Sequence, residues 1–346
     1  MLAPFFHAWE HRLASASTDR VIRPVDWGLD WIPRNPDAPV PEDPAVLDAY
    51  VAGVLRDTDA WYDVPATTDF ELRTAAGESP AVLMFPTSRP TPHRENNTVY
   101  ARYFPGRTRR PGQRPRRAVL VMAQWNSDSG GHVGLARLLS WFGISALRIS
   151  LPYHDWRMPS ELTRADYIVS SNVGRTLEVC RQAVLDARRA IDWLERQGYE
   201  SIGVLGTSLG SCLSMLTAAH DPRVRAAALN HVSPFFADVV WRGLSTAHVR
   251  AGLDGHVDLE HLRRLWMPIS PFHYLDRLRD RRTLLVYARY DLTFPLDLSR
   301  LLISEFRNRA IPHRVTALPC GHYSTGATPF KYMDGYVLTR FLTENL

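Results

Sequence analysis

A serine flanked by glycines is the feature of the chain that most directly indicates chemistry. The segment GTSLG, residues 206–210, lies between the apolar run SIGVL and a stretch with the apolar spacing of a helix. In a tight strand-to-helix turn, glycines two residues before and after the serine avoid collisions with neighbouring elements. The strained turn lifts the hydroxyl clear of the sheet, next to the N–H groups that begin the helix. We therefore predict that Ser208 is a nucleophile, the alternative being a serine that only caps a helix.

A serine hydroxyl attacks only when a base removes its proton, and that base must be oriented by an acid. Asp291 directly follows the apolar run TLLVYARY, and His322 follows the later run HRVTAL. Asp297, the nearest rival acid, falls inside the next helical pattern, and His313 begins a strand instead of following one. We predict that Asp291 orients His322 and that His322 is the base for Ser208.

The elements that must position these residues alternate along the chain. The patterns predict strands over residues 98–104, 118–123, 144–151, 201–205, 224–231, 283–288 and 313–318. They predict helices over residues 134–142, 175–197, 209–219, 297–309 and 329–343. Such alternation is typical of an α/β fold with a mostly parallel sheet covered by helices on both faces. In such sheets, ligands bind beyond the carboxyl ends of the strands, where the three residues are expected.

Two segments depart from this alternation. Residues 1–68 are rich in Trp, Pro and Asp, with one helix predicted over 44–56, and otherwise read as an extended arm. Its tryptophans need burial, so we predict that the arm packs on a main domain of residues 69–346. Residues 233–282 interrupt the strand–helix rhythm with helical pieces rich in aromatic and charged side chains. An insertion of this kind predicts a lid over the site.

Stabilising a developing oxyanion requires two N–H donors. We predict that the backbone N–H of Leu209, directly after the nucleophile, is one of them. The other is expected from the loop after the buried strand 118–123. Trp125 is our candidate, and its neighbour Gln124 remains the alternative.

Further side chains are candidates for contacting substrate. Gln124, His154 and Arg157 follow predicted strands on the same edge of the sheet, and Phe235 follows the strand 224–231. Arg157 could pair with a substrate carboxylate or phosphate, or instead form a structural contact with an aspartate. Aromatic residues such as Phe235 could line an acyl pocket or belong to the core.

The chain resembles the α/β-hydrolase superfamily from Thr98 to the C-terminus. The resemblance rests on the GTSLG turn and on the positions of Asp291 and His322. The resemblance implies hydrolysis of an ester, amide or thioester through an acyl-enzyme, with no cofactor. Many members carry His-Gly where this chain has Ala123-Gln124, which leaves the second oxyanion donor open. We expect a carboxylic-ester hydrolase. A peptidase, a thioesterase and a non-catalytic binding protein of the same fold are the alternatives.

Composition argues against several other classes. The formal net charge is +5, and the densest basic stretch, Arg107 to Arg117, contains Pro and Gly but no nucleic-acid-binding motif. We predict a solvated loop there; a nucleic-acid site would instead give salt-sensitive binding. Three cysteines without CxxC spacing argue against a disulfide scaffold and a zinc site. No apolar run reaches the roughly 18 residues of a membrane span. We expect a cytoplasmic enzyme with a small-molecule acyl substrate and no metal.

Overall fold

The structure is a computed structural model that describes residues 2–35, 37–74, 80–107 and 116–346. Within these residues a nine-stranded sheet comprises β1 (Glu71–Arg73), β2 (Ala81–Pro86), β3 (Thr98–Phe104), β4 (Arg117–Met122), β5 (Ser145–Ile149), β6 (Ser201–Thr207), β7 (Val224–Asn230), β8 (Arg282–Ala288) and β9 (His313–Leu318). The α-helices are α1 (Ala3–Ser15), α2 (Ala45–Arg56), α3 (Thr58–Trp61), α4 (Val133–Trp141), α5 (Val173–Arg196), α6 (Leu209–His220), α7 (Phe236–Arg242), α8 (Ala247–Leu253), α9 (Leu259–Leu265), α10 (Leu296–Asn308) and α11 (Phe330–Asn345).

The strand order brings the predicted site together at one edge of the sheet. The strands lie in the order β1-β2-β3-β5-β4-β6-β7-β8-β9, and all neighbours from β5 to β9 are parallel. Ser208 follows β6, Asp291 follows β8 and His322 follows β9. Because the carboxyl ends of parallel strands share an edge, residues distant in sequence become neighbours there.

Alternate side chains of the central strands enter two separate cores. On β4, Leu120 packs into a core that includes Leu177 of α5 and Leu213 of α6. Its neighbour Val121 points to the opposite core, which includes Leu338 of α11. Alternation of side chains across a strand produces this division. The predicted fold class, a mostly parallel sheet with helices on both faces, is confirmed.

The N-terminal residues contain more structure than predicted. Helix α1 was missed because polar residues interrupt its apolar pattern, yet its buried residues Phe6, Glu10 and Ala14 lie four apart, on one helical face. Strands β1 and β2 were also missed. β2 pairs antiparallel with β3, and β1 pairs antiparallel with β2 at the outer edge of the sheet.

The sequence also singled out residues 233–282 and the basic stretch from Arg107 to Arg117, and the structure describes the first fully and the second in part. Residues 233–282 extend from just after β7 to the first residue of β8 and contain α7, α8 and α9. Of the basic stretch, Arg109, Arg110 and Arg114 lie outside the described residues. Among the helices that the structure describes, none has the length and apolar character required to cross a membrane.

Candidate active site

Ser208 lies at the turn between β6 and α6. Its φ of 58° and ψ of −120° give a strained backbone that non-glycine residues rarely adopt. A Cβ at Gly206 would lie 2.0 Å from the carbonyl oxygen of Gly210, and a Cβ at Gly210 would lie 2.2 Å from that of Met122. No side chain fits either position, so the two glycines allow the sharp turn that presents the serine.

Asp291 and His322 form a hydrogen-bonded pair. The Nδ1 of His322 lies 3.0 Å from Oδ2 of Asp291. The other carboxylate oxygen, Oδ1, accepts hydrogen bonds from the backbone N–H groups of Thr293 at 2.8 Å and Phe294 at 2.7 Å. Burial alone would raise the pKa of Asp291, but His322 and a second histidine, His231, hold it well below the ordinary value. The acid is therefore an anion at neutral pH with a fixed orientation.

His231 is a site residue whose role the sequence did not reveal. It directly follows β7, and its Nδ1 lies 2.7 Å from the same oxygen, Oδ2 of Asp291. The rings of His231 and His322 are 4.3 Å apart between centroids. β7, which His231 follows, is the neighbour of β8, which Asp291 follows. A histidine directly after a strand that neighbours the strand of the acid is the signal that could have indicated this role.

The cluster of His231, Asp291 and His322 has the spacing of a metal site, since one ligand atom from each lies within 4.8 Å of the others. Hydrogen bonds account for the same geometry. Both oxygens of Asp291 are occupied, each by two N–H donors, at distances of 2.7 to 3.0 Å. These distances are those of N–H···O bonds, so the arrangement fits a hydrogen-bonded triad acid.

Two cavities meet at Ser208. The smaller, of about 40 Å³, is apolar and is lined by Trp125, Leu209 and Phe235 among others. The larger, of about 830 Å³, is lined by His322, Gln124 and polar residues including Arg20, Arg164 and Asp334. Ser208 lines both. A substrate bonded at Ser208 would therefore extend in two chemically different directions.

The structure places the oxyanion candidates around these cavities. Leu209 is the first residue of α6, so its N–H is among those that the helix itself leaves without a partner. Trp125 lines both cavities, and its indole N–H donates to the carbonyl of Ala165 at 2.8 Å. Gln124 lines the larger cavity, and its Oε1 is buried without a hydrogen-bond partner among the described residues. Which backbone N–H is the second donor stays a prediction.

His154 lines neither of the two cavities at Ser208 and supports the loop that follows β4 instead. The side chain is buried, and its Nδ1 lies 2.9 Å from the carbonyl of Pro152. The N–H of Asn126 donates to its Nε2 at 3.0 Å, which requires a neutral ring. Burial lowers the pKa of His154 to about 4, in agreement with that role. A ring that is buried and lines neither cavity has no surface to offer a substrate, contrary to the expectation from the sequence.

Arg157 forms the structural contact that was the alternative to substrate binding. Its guanidinium is fully buried and pairs with Asp186 at 2.8 Å. It also donates to the carbonyl oxygens of Asn96 and Ser150. Each of its three guanidinium nitrogens donates within the fold, and the side chain is fully buried, so it is not available to an anionic substrate.

Helix α1 braces the loop that carries His322. Glu10 is fully buried, and its carboxylate accepts hydrogen bonds from the backbone N–H groups of Tyr323 at 2.8 Å and Ser324 at 2.9 Å. A Cβ at Gly321 would lie 2.3 Å from Cδ of Glu10, so the glycine permits this close approach. The N-terminal helix is therefore part of the support of the candidate base.

Replacing Glu10 with alanine is expected to loosen this loop. Two buried N–H groups lose their acceptor, which costs about 1–3 kcal/mol of stability for an unsatisfied group. If His322 is a catalytic base, its displacement lowers turnover by roughly 10- to 100-fold. Denaturant unfolding measures the first effect, and turnover of a substrate measures the second. His11→Ala, an exposed position on the same helix, is the matched control; equal effects of both changes would contradict the bracing role.

The strand order and the similarity to solved structures show that the chain has the α/β-hydrolase fold. No protein-family model matches the chain, and no curated protein matches it in sequence. The similarity is to solved structures.

An acetyl xylan esterase from Paenibacillus sp. R4 aligns with a TM-score of 0.61 at 16% identity, covering 94% of this chain and 100% of that one. Acetyl xylan esterase 1 from Thermoanaerobacterium sp. JW/SL YS485 gives 0.60 at 15% identity, covering 96% and 97%. The acylaminoacyl peptidase of Pyrococcus horikoshii gives 0.59 at 13% identity, covering 81% of this chain. The chain spans only 42% of that peptidase. At these identities the likeness establishes the shared fold.

Proposed function

We propose that the protein is a serine hydrolase that cleaves a carboxylic ester through an acyl-enzyme. One observation carries the proposal. Ser208, on a strained turn, lines the same cavity as His322, whose Nδ1 is held by the buried carboxylate of Asp291. With Nδ1 engaged, the Nε2 of His322 is the nitrogen left to accept a proton.

The reaction would proceed in two halves. Ser208 attacks the carbonyl carbon of the ester while His322 takes the hydroxyl proton, and Asp291 stabilises the imidazolium. The developing oxyanion accepts hydrogen bonds from the N–H of Leu209 and, in our proposal, of Trp125. His322 then protonates the departing alcohol. Water, deprotonated by the same histidine, attacks the acyl-enzyme and releases the acid and Ser208.

The two cavities favour an assignment of the two sides of the ester. The apolar cavity has room for about three water-sized groups, which suits a short acyl chain. The larger cavity offers polar and charged side chains and has the size of a ligand-binding pocket, which suits the alcohol portion. The likeness to two acetyl xylan esterases agrees with a short acyl group, whereas the likeness to a peptidase keeps amide cleavage as the alternative.

The proposal is tested by labelling with a fluorophosphonate, which traps an activated serine, followed by turnover of acetyl substrates. The p-nitrophenyl ester, a thioester and an acyl-peptide amide of the same acyl group are compared. Fastest turnover of the ester supports the assignment, and fastest turnover of the amide would replace it with a peptidase. Absence of both labelling and turnover in the folded protein would favour a non-catalytic binding protein.

A specific expectation concerns acyl-chain length. Turnover of p-nitrophenyl esters should fall steeply beyond about four carbons, because the small cavity cannot hold longer chains. Phe235→Ala removes part of its wall and should restore part of the turnover of a six-carbon ester. Phe272, which stacks on Phe235 at 4.7 Å but does not line the cavity, provides the control Phe272→Ala. A flat chain-length profile in the wild type would refute the assignment of this cavity.

We also propose that the enzyme acts in the cytoplasm. All three cysteines, Cys180, Cys212 and Cys320, are buried free thiols. Free cysteines are typical of proteins in a reducing compartment.

A further inference from the structure

Asp291 orients two imidazoles through one oxygen. Oδ2 lies 2.7 Å from Nδ1 of His231 and 3.0 Å from Nδ1 of His322. Because Oδ1 is already occupied by two backbone N–H groups, the two histidines share the remaining hydrogen-bonding capacity of the carboxylate. A triad of serine, histidine and acid requires only one of them.

The position of His231 is specified by several contacts. The side chain is 1% exposed, and its backbone has a φ of 57°, in the left-handed region. Its N–H donates to the carbonyl of Val286 on β8 at 3.0 Å. The hydroxyl of Ser211 lies 2.7 Å from the carbonyl oxygens of both His231 and Ser208. The fold therefore ties this histidine to the turn of the nucleophile as well as to the acid.

Three titratable groups surround the His231 ring. Asp291 and His322 lie on the loops after β8 and β9, and Asp334 lies on α11. Burial raises the pKa of Asp334 to about 6, and the charge of His231 opposes that rise. Asp334 is held by the side-chain amide of Asn230, which donates to its Oδ2 at 2.9 Å.

We propose that His231 is a second positioning residue of the triad, which acts on His322 through their shared oxygen of Asp291. This inference rests on the proposed hydrolase function. A carboxylate that accepts another N–H presents less negative charge to His322, so it stabilises the protonated form of His322 less. The two histidines therefore compete for one acceptor, and removal of His231 would leave the whole charge of Oδ2 to His322.

Two substitutions separate this role from a merely structural one. His231→Gly removes the donor and accepts the left-handed backbone without strain. His231→Asn places an amide N–H near the position of Nδ1 and also tolerates this backbone. The acidic limb of kcat/KM against pH is measured for both variants and the wild type, on an acetyl ester. Because Asp334 titrates nearby, the comparison is repeated with Asp334→Asn in all three proteins.

In His231→Gly we expect the midpoint of the acidic limb to move about 1 unit to higher pH. Turnover below the midpoint then falls about tenfold and recovers at alkaline pH. His231→Asn should keep the midpoint of the wild type. A uniform loss at all pH values with an unchanged midpoint would overturn the proposal.

A measurement on the wild type covers the case in which the glycine variant does not fold. Nitrogen-15 NMR of labelled histidines should show two Nδ1–H protons hydrogen-bonded to a carboxylate, one of which disappears in His231→Asn. A single such proton in the wild type would overturn the shared-oxygen arrangement. Failure of the proposed function is distinguishable, because it would leave the wild type without ester turnover or fluorophosphonate labelling.

Discussion

Ser208→Ala is expected to remove ester turnover and fluorophosphonate labelling while leaving the protein folded. Loss of a triad serine lowers kcat by about 10⁶-fold in a well-studied hydrolase, and the residual rate comes from binding and the oxyanion donors. The side chain is nearly buried, and alanine retains the same backbone requirement, so stability should change little. Steady-state kinetics, labelling and thermal unfolding measure these outcomes.

A buried serine on the following helix provides the matched control for this change. The hydroxyl of Ser214 on α6 has no hydrogen-bond partner among the described residues, so Ser214→Ala removes no bond from the site. It should retain labelling and turnover. Turnover within tenfold of the wild type in Ser208→Ala would show that another residue is the nucleophile and would remove the basis of the proposed function.

Asp291→Asn is expected to lower turnover by about 10⁴-fold, the loss typical of a triad acid converted to its amide. The structure gives the reason at the level of single atoms. Oδ1 accepts from the N–H groups of Thr293 and Phe294, so the amide oxygen of the variant must occupy that position. Its NH₂ group then faces His322, whose Nδ1 must become an acceptor. The proton of the neutral ring moves to Nε2, which can no longer accept one from Ser208.

The rival acid on the next helix tests whether this effect is specific. Asp297 lies in the first turn of α10 and pairs with Arg242 at the surface. Asp297→Asn should leave turnover unchanged, because an exposed ion pair contributes little and lies outside the catalytic hydrogen bonds. A loss below about tenfold in Asp291→Asn, or an equal loss in Asp297→Asn, would contradict the assignment of the acid.

The sequence predicted the main elements of the sheet well. From β3 onward, each strand and helix predicted from the sequence appears within two residues of its observed bounds. The sequence signals that predict these elements are local. A continuous apolar run indicates a strand that is buried on both faces, and an amphipathic spacing indicates an element that is buried on one face. The prediction failed at β1, an exposed strand of three residues, and at α1, which carries polar residues between its buried positions. It also missed β2, although its six residues, AVLMFP, form an apolar run.

The contacts of single side chains could not be predicted where their partners come from elsewhere in the chain. His154 and Arg157 follow a strand at the correct edge, as the sequence indicated. Their orientation is decided by Asn126 and Asp186, which reach them from other elements. Spacing along the chain does not reveal which polar groups will be buried together, although each buried polar group must find a partner.

The sequence by itself determined the α/β fold and the three candidate residues Ser208, Asp291 and His322. Each of them follows a strand with a strong apolar pattern. Its place at the sheet edge is therefore determined by a pattern of neighbouring residues in the sequence. Only the tertiary structure decided that His231 shares the carboxylate of Asp291 and that Glu10 supports the loop of His322. The physical reason is that a buried polar group is positioned by its partners. Asp291 lies 60 residues from His231, and the partners of Glu10 lie 313 and 314 residues away along the chain.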